Sequence, residues 1–313
     1  AVLAILDAAG ADLDYEIFRV GAAEYEENGA LIPEAGFASF EKTHVLLKSP
    51  ITTPLGTGFR SLNVTLRKKY DLYANMRPAK SNAAVKTPFE HVDIVMFREN
   101  TEDLYAGVEE KIDENTAHSI KIITRKCSER IVRSAFDYAV KNKRKKVTCV
   151  HKANIMKLSD GLFRDVFYEI SQEYPGIEVE DKIVDNVAMQ LVMHPETFDV
   201  IVTENLYGDI LSDLTSGLIG GLGLLPSSNM GTDFAMFEAV HGSAPDIAGK
   251  GIANPTAFLW SACMMLEHLG KQEISAKIRR AVDEVLKDGT ILTPDLGGCA
   301  GTEAYTKAII ERL

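Results

Sequence analysis

The sequence predicts an α/β fold with a largely parallel sheet, and three observations support that prediction. Short apolar runs typical of strands alternate along the chain with longer segments whose apolar residues recur at helical spacing. No internal repeat or low-complexity linker interrupts the alternation. The chain has 313 residues, more than one hydrophobic core usually serves, so we expect two lobes that share chain crossings.

The predicted strands are short apolar runs that end in polar residues. They occupy residues 43–49, 91–100, 147–154 and 198–205. Ahead of them, AVLAILDAAG predicts a helix with Gly10 as its C-cap, and a strand-like run follows as far as Val20. Because the chain opens without Met inside a helical pattern, we expect a preceding strand to lie outside it.

The predicted helices carry apolar residues at i, i+3 and i+4 spacing. The most regular is 128–146, with Ser128 as its N-cap and the basic run KNKRKK at its end. We interpret this run as a solvated helix end, where cations suit the helix dipole, rather than as a nucleic-acid site. Further helices are predicted at residues 159–174, 208–223, 256–270 and 275–289.

The composition argues against several classes of function. With 46% hydrophobic and 25% charged residues it is ordinary for a globular protein. A formal net charge of −11 argues against nonspecific nucleic-acid binding and against an anionic membrane surface. No apolar run approaches the roughly 20 residues of a membrane span. Four dispersed cysteines without metal-site spacing indicate reduced thiols, as in the cytoplasm or, alternatively, the mitochondrial matrix.

Polar residues gather where the predicted strands end, which is where open α/β sheets bind ligands. Asp209 and Asp213 follow the strand at 198–205 and are spaced i, i+4, so they share one helix face. Two such carboxylates repel each other unless a cation lies between them, and oxygen ligands suit Mg²⁺ or Mn²⁺. Asp185 is a candidate third ligand. The alternative is a pair of exposed acids near a helix start.

Arg67, Arg77 and Arg98 are candidates for binding a polycarboxylate, because a guanidinium binds a carboxylate through two hydrogen bonds. The alternative for each arginine is a separate surface salt bridge. Tyr105 and Lys152 are candidate proton carriers, since a nearby metal ion and arginines would lower the pKa of both groups. For Tyr105 the alternative is a packed aromatic side chain.

Five segments carry a family resemblance. They are SPITTPLGTGFRSLNVTLRKKYDLYANMRP, RENTEDLYAGVE, VHKANIMK, NLYGDILSDL and HGSAPDIAGKGIANP. Together and in this order they resemble the metal-dependent β-decarboxylating dehydrogenases, which act on isocitrate, isopropylmalate, homoisocitrate or tartrate. The resemblance covers essentially all 313 residues, although the family's N-terminal GDGIGPE segment is absent.

This resemblance implies an isopropylmalate-dehydrogenase-like, non-Rossmann α/β fold with a mixed, largely parallel sheet. In agreement, no GxGxxG motif follows a predicted strand and opens a helix. The implied units are a large cofactor-binding lobe (1–72 and 220–313), a small lobe with the dimer interface (73–102 and 125–219) and a clasp-like insertion (103–124).

The resemblance also implies how the candidate residues act. Arg67, Arg77 and Arg98 would clamp the substrate carboxylates. Tyr105 would protonate the enolate carbon after CO₂ leaves. Lys152 would handle the hydroxyl proton, directly or through water, and would enter from the partner subunit.

The implied metal site is likewise shared between subunits. Asp209 and Asp213 would bind Mg²⁺ or Mn²⁺ from one subunit and Asp185 from the other. A homodimer is therefore the expected minimal active unit, and the sequence leaves larger oligomers open.

Isocitrate is the expected substrate. Ser61 and Asn63 in RSLNVTLR offer a hydroxyl and an amide, which suit a carboxylate arm and would be left unpaired around the isopropyl group of isopropylmalate. Thr53 is a further implied substrate contact. Homoisocitrate and isopropylmalate are the alternative substrates.

NAD is the expected cofactor. HGSAPDIAGKGIANP resembles the family's adenosine-binding loop, and Asp246 in it would accept hydrogen bonds from the ribose 2′-OH and repel a 2′-phosphate. NADP-using relatives carry Lys-Tyr where this chain has Asp246-Ile247, and Tyr and Arg where it has Pro294 and Gly298. The implied cofactor contacts are Glu238, His241, Gly242, Ala244, Asp246, Ile247 and Asn254.

A different class of function is a non-catalytic regulatory subunit of a hetero-oligomeric isocitrate dehydrogenase. Such subunits tend to lose a catalytic Tyr, a catalytic Lys or a metal-binding Asp. Here Tyr105, Lys152, Asp185, Asp209 and Asp213 are all present, which favours a catalytic chain.

Overall fold

The computed structural model describes residues 1–51 and 61–313. The described strands are β1 (Val45–Lys48), β2 (Ala74–Lys80), β3 (Asp93–Glu99), β4 (Glu109–Lys111), β5 (Ala117–Ser119), β6 (Lys146–His151), β7 (Glu178–Ile183), β8 (Val200–Thr203), β9 (Pro226–Met230) and β10 (Ala235–Ala239). The described α-helices are α1 (Val2–Ala9), α2 (Ala22–Asn28), α3 (Glu34–Thr43), α4 (Leu62–Lys69), α5 (Arg125–Lys141), α6 (Ser159–Ser171), α7 (Val184–Met193), α8 (Asn205–Leu218), α9 (Thr256–His268), α10 (Gln272–Asp288) and α11 (Thr302–Ile310).

In this part of the chain, eight strands form one mixed sheet in the order β1-β10-β9-β2-β3-β8-β6-β7. β1 runs parallel to β10, and β3, β8, β6 and β7 are parallel to one another. β9 and β2 pair antiparallel with each other and with their outer neighbours, so an antiparallel centre joins two parallel blocks. The predicted α/β class with a mixed, largely parallel sheet is confirmed.

Strand β3 supplies two hydrophobic cores, because successive side chains of a strand point to opposite faces. Val95 and Phe97 pack with α5 and α6 on one face. Ile94 and Met96 pack with α7 and α8 on the other. Burial of each such side chain contributes roughly 1.5–3 kcal/mol. The two helix layers therefore fix the position of β3 and of Arg98 and Glu99 at its end.

A further core forms where α1, α9, α10 and α11 pack together. Tyr305 is fully buried in it, and its hydroxyl lies 3.0 Å from Thr256 Oγ1. This helix layer supports β9 and β10 through α9. It also carries the loop at 241–255, which ends where α9 begins.

Helix α5 begins earlier than predicted, so the assignment of Ser128 as its N-cap is wrong. Thr124 Oγ1 accepts the backbone N–H of Cys127 at 3.3 Å and caps the helix. Ser128 is buried one turn later, and its hydroxyl donates to the Thr124 carbonyl at 2.8 Å. A serine that bonds four residues back belongs to a helix interior.

Two other local predictions are also wrong. Helix α5 ends at Lys141, and Lys143 adopts a left-handed φ of 56°, so most of the basic run lies in the turn before β6 instead of closing the helix. The strand-like residues 11–20 form no strand, and the described sheets pair no strand with them. An extended segment needs a hydrogen-bonding neighbour to become a strand.

The segment 103–124, predicted to be a clasp-like insertion, contains a short 3₁₀ helix at Asp103–Ala106 and an antiparallel hairpin of β4 and β5. The strand residues of this hairpin are all exposed. Among the described helices, none combines the length and apolar character that crossing a membrane requires.

Candidate active site

The polar strand ends predict a site along one edge of the sheet. The candidate site instead lies against one face of the sheet. The antiparallel strands β9 and β2 reverse the chain direction, so β1 and β10 end at one edge while β3, β8 and β6 end at the other. Asn229, Asn75 and Arg98 are paired across neighbouring strands, so their side chains share a face between those edges. Helix α8 packs on this face.

A cleft of about 250 Å³ opens on this face between α4 and α8. Among its described lining residues, four cations face two carboxylates: Lys48, Arg67, Arg77, Arg98, Asp209 and Glu238. All of these except Asp209 are buried. An excess of cations in a chain of net charge −11 favours a ligand with several carboxylates.

A larger groove of about 580 Å³ lies between the C-terminal ends of α5 and α6. Two of its polar side chains have partners at the surface: Arg144 contacts Asp199 at 2.9 Å, and the Tyr174 hydroxyl donates to Asp137 at 2.8 Å. We place the active site in the smaller cleft because buried charges converge there.

Glu238 is the buried anion of the cleft. Its carboxylate lies 2.7 Å from Lys48 Nζ and 3.2 Å from Arg67 Nη2, and it accepts a hydrogen bond from Asn229 Nδ2 at 3.0 Å. Although burial opposes ionisation, the Lys48 and Arg67 charges hold the pKa of Glu238 at about 2. This network fixes one end of the cleft. Glu238 was predicted to contact the cofactor, but its carboxylate is already bound by these three side chains.

Asp209 joins two arginines to Tyr105. Arg98 Nη1 and the Tyr105 hydroxyl both donate to its carboxylate, and Arg77 Nη1 lies 3.4 Å from Oδ1. Burial opposes ionisation here too, but Arg98, the Tyr105 hydrogen bond and Arg77 keep the pKa of Asp209 below its ordinary value. Burial, together with the charges of Arg77 and Arg67, lowers the pKa of Arg98 to about 9.

The lowered pKa expected for Tyr105 depended on a nearby metal ion as well as on the arginines, and the protein groups alone shift the pKa in the opposite direction. Burial and the hydrogen bond to Asp209 raise the pKa, against the opposing effect of Arg98, whose guanidinium lies 5.0 Å from the ring centre. Burial and a carboxylate acceptor disfavour the phenolate more than one cation favours it. Tyr105 therefore keeps its proton at neutral pH and can donate it.

Asp213 lies one turn after Asp209 on α8, and Arg77 Nη1 is 3.4 Å from the Asp209 carboxylate and 3.9 Å from that of Asp213. Burial raises the pKa of Asp213, opposed by Arg77 and assisted by repulsion from Asp209. The two carboxylates fit one side of a site for a hard divalent cation by donor type and spacing. Across residues 1–51 and 61–313 of one chain, no cluster of three potential ligands occurs.

Lys152 and Asp185 lie together but outside the cleft lining. Lys152 Nζ donates to Asp185 Oδ1, which links the end of β6 to the first turn of α7 and lowers the pKa of Asp185. The two side chains are 25% and 70% exposed, so both are accessible from outside the chain. One chain therefore presents two separate groups of predicted catalytic residues.

Two buried polar atoms of the cleft lack a partner within the described structure, Asn63 Oδ1 and His241 Nε2. His241 Nδ1 lies 2.9 Å from the Gly242 carbonyl, so Nδ1 is the donor and Nε2 is left as an acceptor. An unpaired buried polar group costs roughly 1–3 kcal/mol. A ligand that pairs with these atoms removes that penalty.

Ser61 stands at the N-cap position of α4, where its carbonyl accepts the N–H of Thr65 at 3.0 Å. Its hydroxyl makes no capping hydrogen bond, and it lines the cleft with Asn63. Thr53, the third predicted substrate contact besides the arginines, lies outside the described residues.

The loop at 241–255 is shaped by local strain and tied down at its far end. Ala244 has a left-handed φ of 45°, which is unfavourable for a residue with a Cβ and is typical of functional loops. It leads into the 3₁₀ turn Pro245–Ile247, where Asp246 is exposed. Thr302 fixes the loop to α11 by donating to the carbonyls of Gly251 at 2.7 Å and Ala253 at 2.6 Å.

The predicted cofactor contacts divide along this segment. Glu238, His241 and Gly242 line the cleft, and the remaining four lie farther along the loop: Ala244, Asp246, Ile247 and Asn254. The Asn254 side chain is used within the fold, since it donates to Asp295 and accepts the N–H of Thr256, both at 2.9 Å.

Four residues that orient the arginines were not predicted from the sequence. One is Asn205, whose Oδ1 accepts hydrogen bonds from Arg98 Nε at 3.0 Å and Nη2 at 2.7 Å. Asn229 Oδ1 accepts hydrogen bonds from Arg67 at 3.1 Å and from Asn75 at 2.7 Å. Asn75 Oδ1 and Ser212 Oγ accept from Arg77 at 2.9 and 2.6 Å. Asn75 lies in β2 and Asn229 in β9, and both are fully buried. Because a buried amide needs a polar partner, an asparagine within a strand was the signal that the sequence offered.

Comparisons with known proteins agree over the whole chain. The model of the isocitrate/isopropylmalate dehydrogenase family matches residues 1–313. A Drosophila melanogaster protein described as probable NAD isocitrate dehydrogenase subunit alpha, mitochondrial, is 48% identical over 100% of this chain and 83% of its own length. A Thermus thermophilus NADP isocitrate dehydrogenase is 50% identical over 100% of this chain and 64% of its own length. A crystal structure of isocitrate dehydrogenase from Methylococcus capsulatus has a TM-score of 0.96 and 52% identity, covering 99% of this chain and 94% of that one.

Proposed function

Since the chain belongs to the isocitrate/isopropylmalate dehydrogenase family, we propose that it catalyses the NAD-dependent oxidative decarboxylation of isocitrate to 2-oxoglutarate and CO₂. The observation that carries this proposal is the gathering of Lys48, Arg67, Arg77 and Arg98 around one cleft of an acidic chain. Guanidinium groups bind carboxylates through paired hydrogen bonds, and isocitrate has three carboxylates to offer them.

The entrance of α4 supports isocitrate over isopropylmalate. Ser61 and Asn63 line the cleft at the N-terminal end of this helix, where free backbone N–H groups and the helix dipole favour an anion. A carboxylate arm can pair with these groups, whereas an isopropyl group would leave them without partners.

Tyr105 and Lys152 are the proposed proton carriers. Lys152, supplied by a second subunit, takes the hydroxyl proton as the substrate carbon is oxidised. Tyr105 holds its proton at neutral pH and delivers it to carbon after CO₂ has left. Arg67, Arg77 and Arg98 hold the carboxylates during oxidation and keep the remaining carboxylates in the same orientation after CO₂ has left.

The residues that would hold the metal and the cofactor fit those groups. Asp209 and Asp213 present hard oxygen ligands from one face of α8, and Asp185 of a second subunit would add a third carboxylate. The loop at 241–255 and the unpaired His241 Nε2 would receive NAD. When bound, these groups supply a Lewis acid and a hydride acceptor.

A shared site in a homodimer explains why Lys152 and Asp185 lie outside the cleft of their own chain. The neighbouring surface is apolar, since Met189, Val192 and Met193 on α7 and Ile210 on α8 are 49–60% exposed. Exposed apolar side chains on two helices that pack together are typical of a protein interface. The alternative to a homodimer is a hetero-oligomer, as the word subunit in the name of the Drosophila relative indicates for that protein.

Two features support NAD over NADP. Asp246 is exposed in the loop, where its charge would repel a 2′-phosphate. At Gly298 an added Cβ would overlap the Leu292 carbonyl, so a cationic side chain is not accommodated at that position without a backbone shift.

The proposal is tested by following absorbance at 340 nm with isocitrate and Mg²⁺, with NAD in one assay and NADP in the other. We expect reduction of NAD only. Activity with NADP alone would overturn the cofactor assignment. Turnover of homoisocitrate or isopropylmalate in place of isocitrate would overturn the substrate assignment, and inactivity with all three would favour a regulatory subunit.

The shared site is tested by mixing two inactive variants, Lys152→Met and Asp209→Asn. In a hybrid dimer one site carries both substitutions and the other carries neither. After dissociation and reassociation we therefore expect about a quarter of wild-type activity, because about half the dimers are hybrids and each has one intact site. No recovery would mean that Lys152 and Asp209 act within the same chain.

A further inference from the structure

We propose that His151 is a positioning residue for Lys152, acting as a hydrogen-bond acceptor for the backbone and not as an acid or base. The inference rests on the proposed function, in which Lys152 carries a proton. It assigns a role to the histidine of VHKAN, which the mechanism above does not use.

His151 is the last residue of β6 and is 3% exposed. Its Nδ1 accepts the backbone N–H of Ala153 at 3.0 Å, and its Nε2 lies 2.8 Å from Asp181 Oδ2. A backbone N–H can only donate, so Nδ1 carries no proton and Nε2 carries the one that points at Asp181. The hydrogen bonds on both sides of the ring thus select one tautomer and one ring orientation.

Asp181 is itself held in place on β7, the strand parallel to β6. The Tyr168 hydroxyl donates to Asp181 Oδ1, while His151 uses Oδ2. Although burial opposes ionisation, these two hydrogen bonds keep the pKa of Asp181 below its ordinary value. The ring is therefore anchored to an ionised carboxylate outside the cleft.

The N–H of Lys152 is held by a second buried side chain. It donates to Asp160 Oδ2 at 2.7 Å, and Asp160 is 0% exposed. Lys121 Nζ lies 2.7 Å from Asp160 Oδ1, and the Tyr207 hydroxyl donates to Oδ2 at 3.0 Å. The consecutive N–H groups of Lys152 and Ala153 thus each donate to a side chain that has further hydrogen-bond partners of its own.

The other side of the turn is also closed. The Lys152 carbonyl accepts the N–H groups of Ile155 and Met156, both at 2.9 Å. The backbone from which the Lys152 side chain departs is therefore defined on both sides, although the side chain itself reaches the surface. A displacement of about 1 Å in a catalytic group can lower the rate by about a hundredfold, so an accurate turn has catalytic value.

Two substitutions separate the two hydrogen bonds of the ring. His151→Asn places an amide oxygen near the position of Nδ1 and keeps an acceptor for the Ala153 N–H, but it is too short to reach Asp181. His151→Gln places an amide nitrogen near the position of Nε2 and keeps the contact with Asp181, but it leaves the Ala153 N–H without an acceptor. Each variant thus loses one of the two bonds.

We expect His151→Gln to lower kcat about tenfold or more while KM for isocitrate stays within about twofold. His151→Asn should recover most of that loss. His91→Gln is the matched control. His91 is exposed and precedes the N-terminal end of β3, whereas Arg98 lies near the C-terminal end of that strand. Equal losses in the two His151 variants, or an unchanged kcat in His151→Gln, would overturn the proposal.

Lys152→Met separates this inference from the proposed function. If that variant stays active, the role of Lys152 is wrong; if it is inactive while His151→Gln is not, only the positioning role fails. A third measurement does not depend on variants that fold: in wild-type protein labelled with ¹⁵N-histidine, we expect Nδ1 of His151 to be unprotonated. A protonated Nδ1 would contradict the proposed acceptor.

Discussion

Gly208 gives Arg98 the room it needs beside α8. A Cβ at position 208 would lie 2.6 Å from Arg98 Cγ and 2.7 Å from Arg98 Cβ, closer than carbon atoms approach. The atoms concerned are near the backbone of a residue that is 1% exposed, so they cannot swing away. The glycine therefore belongs to the site although it carries no functional group.

We predict that Gly208→Ala raises KM for isocitrate about tenfold or more, because Arg98 must move away from the cleft. Overpacking should also lower the free energy of unfolding by about 1–3 kcal/mol, which outweighs the gain of up to about 1 kcal/mol in helix propensity. Gly217→Ala in the same helix is the control, since a Cβ there meets nothing within 4 Å. Steady-state kinetics and denaturant unfolding measure both effects, and equal behaviour of the two variants would contradict the packing argument.

At the scale of a single element, α5 depends on the cap at its first turn. Thr124 caps the helix and also donates to Glu102 Oε2 at 2.8 Å, which ties the start of α5 to the segment that follows β3. Ser128 makes only the hydrogen bond to the Thr124 carbonyl that a helical serine commonly makes.

We predict that Thr124→Ala lowers the free energy of unfolding by about 1–2 kcal/mol, the usual effect of losing an N-cap. Ser128→Ala should change it by less than about 0.5 kcal/mol, because the better helix propensity of alanine offsets the lost hydrogen bond. Urea unfolding of both variants is the measurement. A larger effect at Ser128 would restore the sequence-based assignment of the cap.

Strand β10 depends on a buried charge. Glu238 is 3% exposed and balances Lys48 and Arg67, so its removal leaves buried cations without a counter-charge. We predict that Glu238→Gln lowers the free energy of unfolding at pH 7 by about 3–5 kcal/mol. Glu178→Gln, at an exposed position of β7, is the control.

The pH dependence of this effect has a definite sign. The pKa of Glu238 is lowered from 4.5 to about 2 in the folded chain, so its stabilisation is present above the ordinary pKa and is lost as the pH falls through 4.5 towards 2. The difference between wild type and Glu238→Gln should therefore shrink between pH 5 and pH 3 in denaturant titrations. A difference that grows on acidification would show that Glu238 is not ionised in the folded state.

At the scale of the whole molecule, the exposed apolar face of α7 and α8 and the displaced Lys152–Asp185 pair call for the same explanation, a second subunit. We predict that Met193→Asp converts dimer to monomer and removes most activity, because burying an unpaired charge in an interface is strongly unfavourable. Ile17→Asp is the control, since Ile17 is 74% exposed in residues 11–20, which belong to neither helix. Analytical ultracentrifugation and the 340 nm assay check both; an active monomer would exclude the shared site.

The sequence was informative wherever a signal is local. The helical spacing in α5 and the short apolar run of β3 are patterns among residues a few positions apart, so they predict elements and the fold class. The five family segments added the expected roles of the catalytic candidates. Predictions from local sequence were least accurate at the ends of elements, because a cap depends on which hydroxyl lies close to a free N–H. The N-cap of α5, for example, was predicted at Ser128 and lies at Thr124.

The sequence by itself thus determined the α/β class, the family and the residue types of the site. Only the tertiary structure decided that the cleft lies on the antiparallel centre of the sheet and that Glu238 is buried in it between Lys48 and Arg67. These properties arise from contacts such as Arg67 with Asn229, which lie 162 positions apart. The energy of a charge depends on burial and on such distant neighbours, and no local pattern in the sequence encodes which neighbours the fold will bring together.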